Sequence, residues 1–153
     1  MILNDVLRSV RYLLNVGDGK LVDIIKLAGL TVTVADIAHY LKKEEEEGFV
    51  RCPDEVMAHF LDGLVVYKRG KDDSRPALPI VVPVTNNDVL KKLRVAFELK
   101  EDDIRQILES VQFEVSKPEL SALFRKAGHS NFRPCGDQLL RNFLKGLTLR
   151  VRG

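Results

Sequence analysis

An all-α fold is predicted: a tandem repeat of two four-helix units with pseudo-symmetry, joined by an extended Pro-rich connector. Three observations predict it. First, residues 4–70 align with residues 87–153 at one constant offset, Asn4 pairing with Asn87, with no gap and about a quarter of the positions identical. A repeat of this length sets the architecture before any single element is considered. Second, apolar residues in both copies recur at helical spacing rather than in the alternation of a strand. Third, one stretch escapes that period: residues 71–85, where Pro76, Pro79 and Pro83 interrupt an aliphatic run. The expected organisation is a first repeat over 1–70, a connector over 71–85 and a second repeat over 86–153.

The first helix of each copy is read from Val6, Leu7, Val10, Leu13 and Leu14, and from Val89, Leu90, Leu93, Ala96 and Phe97. Both sets follow an amphipathic stripe. Asn4 and Asn87 are suited to cap these helices, and Asp5 and Asp88 sit at the positive end of the helix dipole. The second helix uses Leu21, Ile24, Ile25 and Ala28, and its twin Ile104, Ile107, Leu108 and Val111. Gly29 suits a helix stop. Gln112 stands in its place in the second copy, so a left-handed residue is not expected there.

Thr33-x-x-Asp36 and Ser116-x-x-Glu119 open the third helix, the second as a full capping box with Pro118 in the first turn. Ile37, Tyr40 and Leu41 should face inward, as should Leu120, Leu123 and Phe124. The next loop differs most, with Glu44–Glu47 and Gly48 in one copy and Ala127–Asn131 in the other. Phe49 and Phe132 end it identically and are expected to plug the core. The fourth helix carries Val56, Met57, Phe60, Leu61 and Leu64, matched by Leu139, Leu140, Phe143, Leu144 and Leu147. Gly63 and Gly146 interrupt this pattern at a cost of ~1 kcal/mol against alanine. Their recurrence predicts close approach of another backbone. In the connector, proline disfavours helix, and its aliphatics predict that its second half lies against one or both repeats.

Each repeat is a size that folds alone with little margin, so the copies are expected to pack on each other. Apolar content of 45% and charged content of 30% describe an ordinary folded protein. No apolar run approaches the ~20 residues of a membrane span. The N-terminus carries no basic leader segment, and two cysteines then point to a reducing cytoplasm. Net charge is +2, but acids outnumber bases in the first repeat and bases outnumber acids in the second.

Four sets of residues are candidates for chemistry. Cys52 and Cys135 open a Cys-x-Asp pattern with Asp54 and Asp137 at the start of the fourth helix. A thiol there resembles a capping hydroxyl, and helix N-termini lower thiol pKa values, which the neighbouring Asp opposes. Arg11 and Arg94 recur at the edge of the first helix, as rim partners of Asp54 and Asp137 or as anion contacts. The second and third helices are joined by a short turn like that of a helix-turn-helix, but acids in the first turn of the third helix are poor for a groove reader. A basic stripe occurs only in the second copy: Arg141 and Lys145 lie one turn apart, flanked by Arg133, Arg150 and Arg152. It is the candidate anion or nucleic-acid contact.

No catalytic or metal-binding residue is nominated and no cofactor is expected. There is no Gly-rich phosphate loop, His-Glu-x-x-His or Gly-x-Ser-x-Gly pattern. Histidine recurs at no equivalent position, which leaves the cysteines without a repeated base and zinc without its usual four ligands. Glu44–Glu47 lacks the spaced oxygens of a calcium loop.

The segments Asn4–Tyr12, Gly48–Asp54, Lys91–Phe97 and Asn131–Gln138 resemble the YehS-like bacterial family (domain of unknown function 1456) over nearly the whole chain. The resemblance implies a cytoplasmic bacterial protein made of two copies of the domain. It implies no catalytic residue and no ligand. The expected function is a non-enzymatic helical interaction or regulatory module. Nucleic-acid binding through the basic face of the second repeat is the alternative, and a thiol redox sensor the weaker one. The partner, another protein or a nucleic acid, and the oligomeric state are left open by the sequence.

Overall fold

The computed structural model describes residues 1–74 and 79–153. Among the described residues there are eight α-helices and no strand, and the chain divides into two compact units, Met1–Val84 and Thr85–Gly153. The first unit holds α1 (Leu3–Leu14), α2 (Asp18–Leu27), α3 (Val34–Leu41) and α4 (Asp54–Arg69). The second holds α5 (Asn86–Ala96), α6 (Glu101–Glu109), α7 (Lys117–Leu123) and α8 (Asp137–Arg152). No described helix is long and apolar enough to cross a membrane.

The amphipathic stripes become the buried faces. Val6, Leu7, Val10 and Leu13 of α1 are buried with Leu21, Ile24 and Ile25 of α2, Ile37 and Tyr40 of α3, and Met57, Phe60, Leu61 and Leu64 of α4. Their second-copy counterparts are buried likewise, Phe60 and Phe143 being the largest fully buried side chains. Each such aliphatic or aromatic group contributes about 1.5–3 kcal/mol relative to exposure. Phe49 and Phe132 are only half-buried.

The helix-interior glycines mark the tightest packing. A Cβ placed on Gly63 would fall closer than 3.0 Å to both the carbonyl oxygen and carbonyl carbon of Ile24 in α2. One placed on Gly146 would collide with the carbonyl oxygen and Cγ2 of Ile107 in α6. Glycine therefore admits the backbone of α2 against α4 and of α6 against α8, the approach its recurrence predicts.

Helix ends depart from expectation at three places. Asn4 and Asn87 do not cap α1 and α5; those caps are Ile2 and Thr85. The N–H groups of Ile2 and Thr85 donate to the carboxylates of Asp5 and Asp88 at 2.9 Å in each copy. The full capping box belongs to the first copy instead. Thr33 accepts from the Asp36 N–H and returns its own N–H to the Asp36 carboxylate, both at 3.0 Å. Ser116 accepts from Glu119 N–H at 3.3 Å, but the Glu119 carboxylate is drawn to Arg133 and to the Ser116 hydroxyl. Finally, Gln112 is left-handed at φ 59°, as Gly29 is at φ 100°. The turn geometry after the second helix is retained without the residue that suits it.

In the connector, the Val84 N–H donates to the Asp54 carboxylate at 2.8 Å. Ile80 and Val84 are half-buried, whereas Val81 and Val82 are 67% and 53% exposed. Its second half is thus anchored at its end rather than packed along its length. Pro76, Ala77 and Leu78 lie outside the described residues.

Candidate functional site

The repeated polar residues assemble around the start of the first helix in each unit. The Asn4 amide donates to the carbonyls of Tyr40 and Val50, both at 2.9 Å. Its oxygen accepts from the Cys52 N–H at 2.9 Å. Asn87 repeats all three bonds, to Leu123 and Arg133 at 3.0 Å and from Cys135 at 2.8 Å. Every partner is the offset equivalent of its twin. Asn4 is fully buried, and using three of its four hydrogen-bonding positions offsets the desolvation of the amide. The asparagine is a clamp between the first helix, the end of the third and the loop leading to the fourth.

That clamp explains the cysteines. Cys52 and Cys135 stand one residue before the caps of α4 and α8, Pro53 and Gly136. Neither thiol caps its helix; each donates to the carbonyl of the following residue at 3.6 Å. Burial, with the negative charge of Asp54 or Asp137 added, pushes the Cys52 thiol up to about 12 and the Cys135 thiol up to about 11. Such thiols stay protonated, the opposite of a reactive cysteine.

Arg11 and Arg94 meet neither Asp54 nor Asp137. Arg11 Nε lies 3.4 Å from Asp18, while the Arg94 guanidinium sits over the Phe124 ring at 4.5 Å. Phe124 stands where the first copy has Leu41, so an aromatic face for the arginine is offered only in the second. Asp54 receives the Val84 N–H. Asp137 accepts from the Asn86 amide at 2.7 Å, which holds its carboxyl below the usual range.

The basic stripe is only partly available. Arg133 pairs with Glu119 and Arg150 with Asp103, each at 2.7 Å. Arg133 keeps the Glu119 carboxyl low; the Lys100 N–H and then Arg150 do the same for Asp103. Arg141 and Lys145 remain exposed one turn apart on α8, Arg141 also helping to hold the Asp137 carboxyl low.

A further feature lies beside α7. An open groove of about 620 Å³ lies in the second unit, lined among others by Glu101, Lys117, Ser121, Ala122, Arg125 and Asn131. Around it the backbone repeats that of the first unit: the Val50 N–H bonds to the His39 carbonyl and the Arg133 N–H to the Ala122 carbonyl. The side chains differ. In the first unit the His39 ring bonds to the Gly48 carbonyl and the Lys42 ammonium to the Glu47 carbonyl, both at 2.7 Å. These two groups converge on Gly48. Ala122 and Asn131 replace His39 and Gly48 in the second unit, and Arg125, in the place of Lys42, makes no such bridge.

The fold and these positions define an all-α protein of two repeated units whose shared polar residues hold each unit together. The chain belongs to the family described as "Protein of unknown function (DUF1456)", whose model matches residues 3–70 and 86–153. It is 55% identical over 150 residues to "Uncharacterized protein YehS" of Escherichia coli (strain K12), covering 98% of this chain and 96% of that protein. No solved structure matches it.

Proposed function

We propose that this protein is a non-enzymatic helical interaction module. The observation carrying that reading is the use made of the repeated polar residues. Asn4, Asp5, Cys52 and their second-copy twins are engaged in hydrogen bonds that build each unit. The residues that differ between copies are surface charges: exposed Glu44–Glu47 in the first unit, and the α7 and α8 cations in the second. A surface varied on a repeated frame suits recognition of a partner. Affinity capture with the full chain from a bacterial lysate, followed by light scattering of the eluate, is expected to return a stoichiometric partner. A clean monomer without one would overturn the reading.

Nucleic-acid binding is the second reading, favoured by one observation: Arg141 and Lys145 are exposed one turn apart on α8. Fluorescence anisotropy with labelled duplex and single strands is then expected to show affinity that falls steeply with salt and is lost in Arg141→Glu/Lys145→Glu. No binding at low salt would sink it.

A further inference from the structure

We infer that the groove beside α7 in the second unit docks an acidic segment of a partner protein, an inference that rests on the interaction-module reading. The side chains beside the groove differ from their first-unit counterparts on a shared backbone bond. Its first-unit counterpart is spanned by His39 and Lys42, which reach the carbonyls of Gly48 and Glu47. With Ala122 in the place of His39, no such bridge forms in the second unit, where the groove of about 620 Å³ lies.

Its lining selects the occupant. Lys117 and Arg125 are exposed and make no ion pair among the described residues, so their charges are available. A guanidinium fork matches a carboxylate with two parallel hydrogen bonds, and the Asn131 amide adds donors beside it. Glu101, which accepts from the Ser121 hydroxyl at 3.4 Å, decides between classes of anion. The Glu101 carboxylate repels any anion, a phosphate backbone and acidic side chains alike. Its discrimination lies in accepting the backbone N–H groups that an extended peptide presents between its own acidic side chains. Pro118 and Ala122 supply apolar surface for the peptide stem. In the first unit, Val34 and Ala38 stand where Lys117 and Ser121 stand here, so the second unit alone carries this set.

The test uses the full chain, labelled with nitrogen-15 and titrated with an acetylated tetraglutamate peptide. Shifts centred on residues 101, 117–125 and 131 are expected. Ala122→His, which restores the first-unit side chain, and Arg125→Glu should each weaken binding by about tenfold or more. Ala122 is half-buried near the end of α7 and Arg125 is exposed just beyond it, and an otherwise unchanged spectrum verifies the fold of each variant. The inference is overturned if the peptide does not bind, if its shifts centre on Arg141 and Lys145, or if Ala122→His binds as wild type. A DNA duplex that displaces the peptide from these residues at lower concentration would overturn the choice of a protein partner. Affinity capture separates the two levels. A partner retained equally by wild type and Ala122→His removes the groove and leaves the interaction module standing; capture of nothing removes the module itself.

Discussion

The Cys52 N–H donates to Oδ1 of Asn4 at 2.9 Å across 48 residues of chain, and Cys135 and Asn87 repeat the bond at 2.8 Å. Replacing Asn4 with Ala strands this buried N–H and the carbonyls of Tyr40 and Val50. A buried group left without its partner costs ~1–3 kcal/mol. Asn4→Ala should therefore lower the urea-unfolding free energy by about 2–4 kcal/mol. Asn87→Ala should cost less, because Asn87 is half-buried and water can reach its partners. Equal, small losses in both would contradict the clamp.

Gly63→Ala and Gly146→Ala should each destabilise by about 1–3 kcal/mol, the usual cost of overpacking, because the carbonyls of Ile24 and Ile107 must move. Alanine's helix preference works in the opposite direction by ~1 kcal/mol. Gly19→Ala in α2 is the control. A Cβ there would meet nothing within 4 Å, so helix preference alone acts and the variant should be unchanged or more stable. Thermal midpoints of the three variants decide it.

Gln112 holds a left-handed conformation at φ 59°, which costs an ordinary side chain roughly 1–2 kcal/mol. Gln112→Gly should raise stability by up to about 1 kcal/mol once the greater freedom of unfolded glycine is subtracted. Gly29→Gln, the reverse exchange at φ 100°, should lower it. Paired denaturant curves read both signs.

The buried thiols predict behaviour in alkali. An unfolded thiol ionises near 9.0, whereas folded Cys52 keeps its proton to about 12 and Cys135 to about 11. Above 9.0 the unfolded chain binds fewer protons than the folded one, so stability falls as pH rises. The part due to these groups should vanish in Cys52→Ala/Cys135→Ala, flattening the slope of unfolding free energy against pH above 9.0. The native thiols should also react with a disulfide probe more slowly than free cysteine. Rapid labelling of either would revive a redox role.

Much of the fold is legible in the sequence because helical spacing and repetition constrain the same residues twice. The stripes of α1 and α4, the Thr33 cap and the backbone approach at Gly63 all follow from spacing or residue type. The role of Asn4 does not. An asparagine near a helix start suits a cap locally, and the clamp depends on carbonyls 36 and 46 residues away. One sign lies in the second copy, where Thr85-x-x-Asp88 already forms a capping box and leaves Asn87 free for another task. Arg11 and Arg94 mislead for a related reason: Phe124 replaces Leu41 in the second copy, and the identical arginines take different partners, Asp18 and Phe124. The groove is invisible to spacing, since its lining comes from α6, α7 and the loop after α7.

The asparagine clamp also orders events during synthesis. Asn4 is made early, but its partners Tyr40, Val50 and Cys52 follow tens of residues later. While the chain is still emerging from the ribosome, α1 can form its turns yet has nothing to lock onto. Its amide is satisfied by water until the stretch of backbone before α4 arrives. The second copy repeats the delay with Asn87 and Cys135. Neither half can close its clamp before the backbone ahead of its own last helix has emerged, so the two closures follow one another along the growing chain.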